Sequence, residues 1–154
     1  MNAPTHDDNG DGEVAAGAGL VNASFAGTGA LVVSAVAGVV AVDALGWLTA
    51  VVSGLLFAVG VVAFLWGYAN GVVRSREERV TLAGLFFLAG TAPRTVRFRL
   101  RAAFVAQSVI AAVAAGVRPY TAVAFAVLAP MFGLGLMATW GARHGIFFAK
   151  DDDG

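Results

Sequence analysis

An all-α, polytopic membrane fold is predicted by three features of this 154-residue sequence: four long charge-free runs, aromatic residues spaced at their ends, and basic residues gathered on one side. The expected architecture is four transmembrane helices arranged as two hairpins, with a short interfacial helix between helices 2 and 3. Hydrophobic residues make up 58% of the chain and charged residues 13%, and the mean hydropathy is +0.78. Soluble proteins carry about 25% charged residues. A water-soluble chain of this length has too small an interior to hide so much apolar surface, whereas a bilayer accepts it on the outside.

The first segment, residues 1–19, is acidic and glycine-rich and has no apolar periodicity. Such a composition cannot bury enough surface to order itself and predicts a disordered tail. It also lacks the positive start of a secretory signal, so no cleavage after the first apolar run is expected. The transmembrane domain is placed at 20–148, followed by a polar tail at 149–154.

Residues 23–42, 44–73, 102–117 and 119–142 form charge-free runs of 20, 30, 16 and 24 residues. A spanning helix needs about 20. The third run is short, but Arg101 and Arg118 at its ends can snorkel and lend it extra turns. The spans are accordingly predicted at about 23–42, 47–68, 98–117 and 120–141.

Aromatic residues support these limits. Trp47 and Trp66 bracket the second span, with Tyr68 close by, and Tyr120 and Trp140 bracket the fourth. These separations correspond to about 30 Å of helix, the thickness of the hydrocarbon core. Trp and Tyr favour the membrane–water boundary because an apolar ring carries a polar tip.

Orientation follows from the arginines. Arg74, Arg76, Arg79, Arg94, Arg97, Arg99 and Arg101 lie between spans two and three, and Arg143 and Lys150 follow the fourth; the opposite side carries only Arg118. The positive-inside rule makes the rich side cytoplasmic, and both termini with it. The external connections are then short, at 43–46 and 118–119. The charge-free segment 80–93 is too short to span. Ser75 and Glu78 have capping-box spacing, so residues 76–92 are read as an interfacial or partly inserted helix, with a re-entrant path as the alternative.

Candidate polar groups are few. Asp43 sits between the first two spans and reads as a turn residue that caps the second helix. Small multidrug exporters resemble this chain in size and span count, but they depend on a buried Glu in the first helix, which is absent here. Gln107 and Ser108 are the most polar pair inside the third span, fit to bridge helices or to line a substrate path. Asn70 is placed at the interface. Small residues recur at four-residue intervals at Ala30, Ser34 and Gly38, at Gly67 and Gly71, and at Ala112 and Gly116, a pattern that allows close helix packing or dimerisation. Pro130, with Gly133 and Gly135, is expected to kink the fourth span near its middle.

The chain has no cysteine, and its two histidines are His6 and His144. No nucleophile–base pairing, nucleotide loop or metal-ligand spacing is present. No catalytic, cofactor or metal site is therefore predicted, and no enzymatic activity. Zero net charge argues against nucleic acid as a partner.

Arg94, Arg97 and Arg101 have i, i+3, i+7 spacing on a helix starting near Pro93, with Val96, Phe98 and Leu100 interleaved. Such a face at headgroup level suits anionic lipid or an acidic partner, or it simply enforces topology.

The segments REERVTLAGLFFLAGTAPR, RPYTAVAFAVLAPMFGLG and WGARHG, between Arg76 and Gly145, resemble small uncharacterised four-span membrane proteins of actinobacteria. The resemblance implies a bacterial plasma-membrane protein and no activity. The abundance of Ala, Gly, Val and Arg is in keeping with a high-GC bacterium. Two functions are expected to compete: a non-enzymatic accessory or scaffold component of the cell envelope, with a larger membrane partner, or a small homo-oligomeric transporter or channel.

Overall fold

A computed structural model describes residues 8–75 and 81–145, with side chains described from Gly17 onward except Leu82. Residues 1–7 of the expected tail, His6, the 149–154 tail with Lys150, Arg76, Glu78 and Arg79 lie outside the described residues. The elements are α1 (Asp8–Val40), α2 (Val42–Arg74), α3 (Leu82–Phe87), α4 (Arg94–Val117), a 3-10 helix over Ala122–Leu128, and α5 (Pro130–His144). Four stretches are long and apolar enough to cross a membrane: Gly17–Val40, Val42–Arg74, Arg94–Val117 and Ala122–His144. The chain is thus all-helical among the described residues, with the four spans and the short intervening helix that the sequence predicts.

Several boundaries differ from expectation. Residues 8–19 are helical, not an unordered tail. Asp8, Asp11 and Glu13 fall in the first turns of α1, where the helix dipole favours acidic residues. From Gly17 on, the helix is held by packing: a Cβ on Gly17 would collide with the indole of Trp140, and Val21 is buried.

The first hairpin is tighter than predicted. Only Ala41 separates α1 from α2, and bonds from Ala41 N to Ala37 O (2.9 Å) and from Leu45 N to Ala41 O (2.7 Å) carry the ladder across the break. Asp43 to Gly46 are therefore helical. Asp43 lies in the first turn of α2, and the N-cap is Ala41, which makes no side-chain capping bond. The carboxylate acts on the helix dipole and does not close a loop.

In cross-section the bundle runs α1, α2, the fourth span, α4 and back to α1. The fourth span also reaches α1 across the diagonal and so separates α2 from α4. It is the most enclosed of the four. One half of the core holds Leu31, Ala35, Ala111, Ala114, Val123, Ala126 and Ala129. The other half holds Val21, Leu88, Val96, Leu100, Met137 and Trp140.

The helix faces are inverted relative to a water-soluble protein. The buried residues of α2 are Gly46, Thr49, Ser53, Gly60, Gly67 and Gly71, while Leu55, Val59, Val62 and Leu65 point outward. In water this arrangement would waste the hydrophobic effect. In lipid, outward apolar side chains cost nothing, and small inward residues let backbones approach closely. The spacing along this seam is three, four or seven residues, the pattern of left-handed helix pairs.

The segment after α2 also departs from expectation. Ser75 closes α2, its N–H donating to Gly71 O, and does not open the next helix. The N-cap of α3 is Thr81, whose hydroxyl accepts from Gly84 N at 3.0 Å. The helix tucks against α5 and α2: Leu85 is buried, and Phe86 stacks on Phe64 with ring centroids 4.8 Å apart. Leu88 and Gly90 then take left-handed conformations (φ 54° and 78°), and Thr91 Oγ1 donates to Gly84 O at 2.8 Å. In this turn Leu88 and Thr91 are buried, while Ala89 and Gly90 are exposed.

Candidate functional site

Gln107 is the polar centre of the bundle. It is fully buried on the fourteenth residue of α4, about 20 Å along the helix from Arg94. Its Nε2 donates to Thr28 Oγ1 at 2.9 Å, and Thr28 Oγ1 donates to Ser24 O at 2.8 Å. On the other side, Gln107 Oε1 accepts from Gly133 N at 3.2 Å. One amide thereby ties together α1, α4 and α5.

The reason for the second bond lies in the break of the fourth span. This span is not a kinked α-helix as Pro130 predicts. It is a seven-residue 3-10 helix followed by an α-helix that has Pro130 in its first turn. Proline lacks an N–H and is favoured at a helix start, so it separates two helices here without bending one. At the junction Phe132 N donates to Ala129 O at 3.0 Å, in the 3-10 manner. The N–H of Gly133 would take that carbonyl in a continuous α-helix, and Gln107 supplies an acceptor instead. A buried N–H left without one would cost about 1–3 kcal/mol.

Ser108 does not join this arrangement. It is part-buried and donates to Phe104 O of its own helix at 2.9 Å. The structure therefore separates the pair, with Gln107 between helices and Ser108 on α4. Asn70 likewise bonds its own helix, Nδ2 to Trp66 O at 2.8 Å. Thr28 and Gly133 are not singled out by the sequence. Ser24 and Thr28 do stand one turn apart on the buried face of α1, which is the available signal for Thr28. Nothing local in the sequence marks Gly133. Ser24 Oγ, Ser53 Oγ and Trp140 Nε1 are buried without a hydrogen-bond partner among the described residues.

The small-residue stripes divide as well. Ser34, Gly38, Gly67 and Gly71 face inward, whereas Ala30, Ala112 and Gly116 face outward. Thr49, not predicted, crosses from α2 to donate to Ser34 O at 2.7 Å.

Three arginines terminate helices. Arg74 donates to Ala142 O (3.1 Å) and Gly145 O (3.2 Å) at the end of α5. Arg101 donates through Nε to Phe87 O at 2.8 Å, and through Nη2 to the same oxygen, at the end of α3. Arg118 donates to Val39 O (3.3 and 3.1 Å) at the end of α1. Each guanidinium meets carbonyls that have no partner in their own helix, at the negative end of its dipole. Arg143 instead lies over the ring of Trp66, 4.7 Å from its centroid.

Arg94, Arg97 and Arg101 do come together. With Phe98 they line an open hollow of about 310 Å³. The side chains of Arg94 and Arg97 make no hydrogen bond or ion pair among the described residues. Among the aromatics, Trp47, Trp66, Tyr68 and Tyr120 are exposed as expected, but Trp140 is buried at 2%. It turns inward, against Gly17 and beside His144, whose ring centroid is 5.5 Å away.

No family model, curated relative or solved structure matches this chain.

Proposed function

We propose that this chain is a non-enzymatic integral protein of a bacterial plasma membrane, an accessory or scaffold component of the cell envelope, with both termini cytoplasmic. The observation that carries this reading is the closure of the bundle. Where α2 meets the fourth span, Gly60 lies against Met131 and Phe132, and Gly67 against Ala138, so tightly that a Cβ on either would come within 2.7 Å of backbone. The buried amide is committed on both sides to other helices. A bundle packed in this way offers its outer surfaces to a partner, not an interior path to a solute. The gathering of arginines at one end supports the orientation.

The test is purification of the full chain in native lipid nanodiscs, with mass spectrometry of what accompanies it. A stoichiometric foreign membrane protein is the expected result. Self-association alone would sink the accessory reading.

A second reading, a small homo-oligomeric transporter or channel, draws support from the broken fourth span with Gln107 at the break. Interrupted helices at mid-membrane are where transporters place substrate sites. Solute flux in liposomes that Gln107→Leu abolishes, in protein that remains folded, would establish it over the first.

A further inference from the structure

We propose that the hollow lined by Arg94, Arg97, Phe98 and Arg101 holds the phosphate of an anionic phospholipid. The inference rests on the membrane-spanning reading of the helices and goes beyond the accessory role. Three arginines line one concavity. Arg101 is partly engaged with Phe87 O, and Arg94 and Arg97 have no partner within the described residues. Setting topology requires basic residues on the correct side, but not three of them around one hollow. The two unengaged arginines supply the planar, forked N–H donors that match phosphate oxygens.

The occupant is argued from what adjoins the arginines. Phe98 lines the same hollow and is 74% exposed. Arg94, Phe98, Arg101, Val105 and Val109 follow one another at three- and four-residue steps along one side of α4. Val105 and Val109 are both more than half exposed. The cationic hollow therefore continues directly into an apolar stripe. An anionic phospholipid has that same order of groups, with phosphate above and acyl chains below. An acidic soluble segment would match the arginines and leave Phe98 and the valines uncovered.

The test reconstitutes the full chain in nanodiscs mixing phosphatidylglycerol and phosphatidylcholine, then counts retained lipids by native mass spectrometry after extraction. Arg97→Gln is compared with Arg99→Gln, which removes the same charge two residues away, outside the hollow. About 1 kcal/mol per arginine at a membrane surface corresponds to about a fivefold fall in the phosphatidylglycerol-to-phosphatidylcholine ratio for Arg97→Gln. On the same basis the ratio falls about 30-fold for Arg94→Gln/Arg97→Gln together. Arg99→Gln should leave it near the wild-type value. Neither side chain of Arg94 or Arg97 bonds another group among the described residues, so unchanged thermal unfolding of the variants is expected and is checked in parallel.

Equal losses from Arg97→Gln and Arg99→Gln would mean a diffuse charge effect and overturn the proposal. Displacement of the lipid by inorganic phosphate would assign the hollow to a free anion, and displacement by polyglutamate would assign it to an acidic protein; either result also overturns it. A missing protein partner in the pull-down would leave the lipid ratio unaffected, so the two readings fail separately.

Discussion

Gly60 and Gly135 meet backbone to backbone where α2 crosses α5: a Cβ built on Gly135 would lie 3.0 Å from the Cα of Gly60. Neither position can take a side chain unless the helices move apart. Gly135→Ala should therefore destabilise the bundle by about 1–3 kcal/mol, the usual cost of overpacking. Thermal unfolding in detergent measures it. Gly116→Ala is the control, because nothing lies within 4 Å of its added methyl. It should be neutral, or stabilising by up to about 1 kcal/mol through helix propensity. Equal effects at both sites would refute the packing argument.

The amide of Gln107 provides a second quantity to measure. A double-mutant cycle of Gln107→Leu and Thr28→Val isolates their 2.9 Å bond. The expected coupling is about 0.6 kcal/mol and no more than about 1.7, as for other hydrogen bonds between membrane helices. Gln107→Leu alone should cost more than the coupling, because Gly133 N also loses its acceptor. A single-mutant cost no larger than the coupling would show that the bond to Gly133 contributes nothing.

Arg101 should act as a fastener for α3. The chain has no cysteine, so one introduced thiol reports on one site. Leu85→Cys, at a position only 2% exposed, should react slowly with maleimide. Adding Arg101→Gln removes the donor to Phe87 O and should raise that rate about tenfold, the effect of about 1.4 kcal/mol in a local opening equilibrium. An unchanged rate would mean that packing alone holds the segment.

Orientation can be read with the same chemistry. Tyr120, fully exposed in the second hairpin, and Ser75, at the end of α2, lie at opposite ends of the bundle. A membrane-impermeant maleimide should label Tyr120→Cys in intact spheroplasts and Ser75→Cys only after permeabilisation. The reverse pattern would invert the topology.

What could be read from the sequence divides along a physical line. The order of apolar helices follows from position along the chain: Trp47, Trp66 and Tyr68 fall within Val42–Arg74, and Tyr120 stands two residues before Ala122. The direction in which a residue faces depends on the neighbouring helices. Trp140 is turned inward and buried, because Gly17 leaves room for its indole. Ala112 and Gly116 repeat as regularly as Gly67 and Gly71, yet only the second pair is buried. In a chain with 20 glycines the stripe alone cannot separate them. The six-residue seam of α2 could have been found by its heptad-like spacing. The candidate arginines were legible as a helical face, since Pro93 sets the start of α4 and their spacing does the rest. The link from Gln107 to Gly133 was not, because it exists only through the change from 3-10 to α-helix at Pro130, which tertiary packing imposes.

The inverted faces of α2 also govern how stability should respond to temperature. The curvature of a soluble protein's stability curve comes from apolar surface leaving water on folding, which gives unfolding a large heat capacity change. Here Leu55, Val59, Val62 and Leu65 are in contact with lipid whether the helices are associated or apart. The surfaces that association does bury are small and pass from lipid to protein, not from water. Separation of the helices should thus carry little heat capacity change, and the stability should fall almost linearly on warming, with no loss of association in the cold.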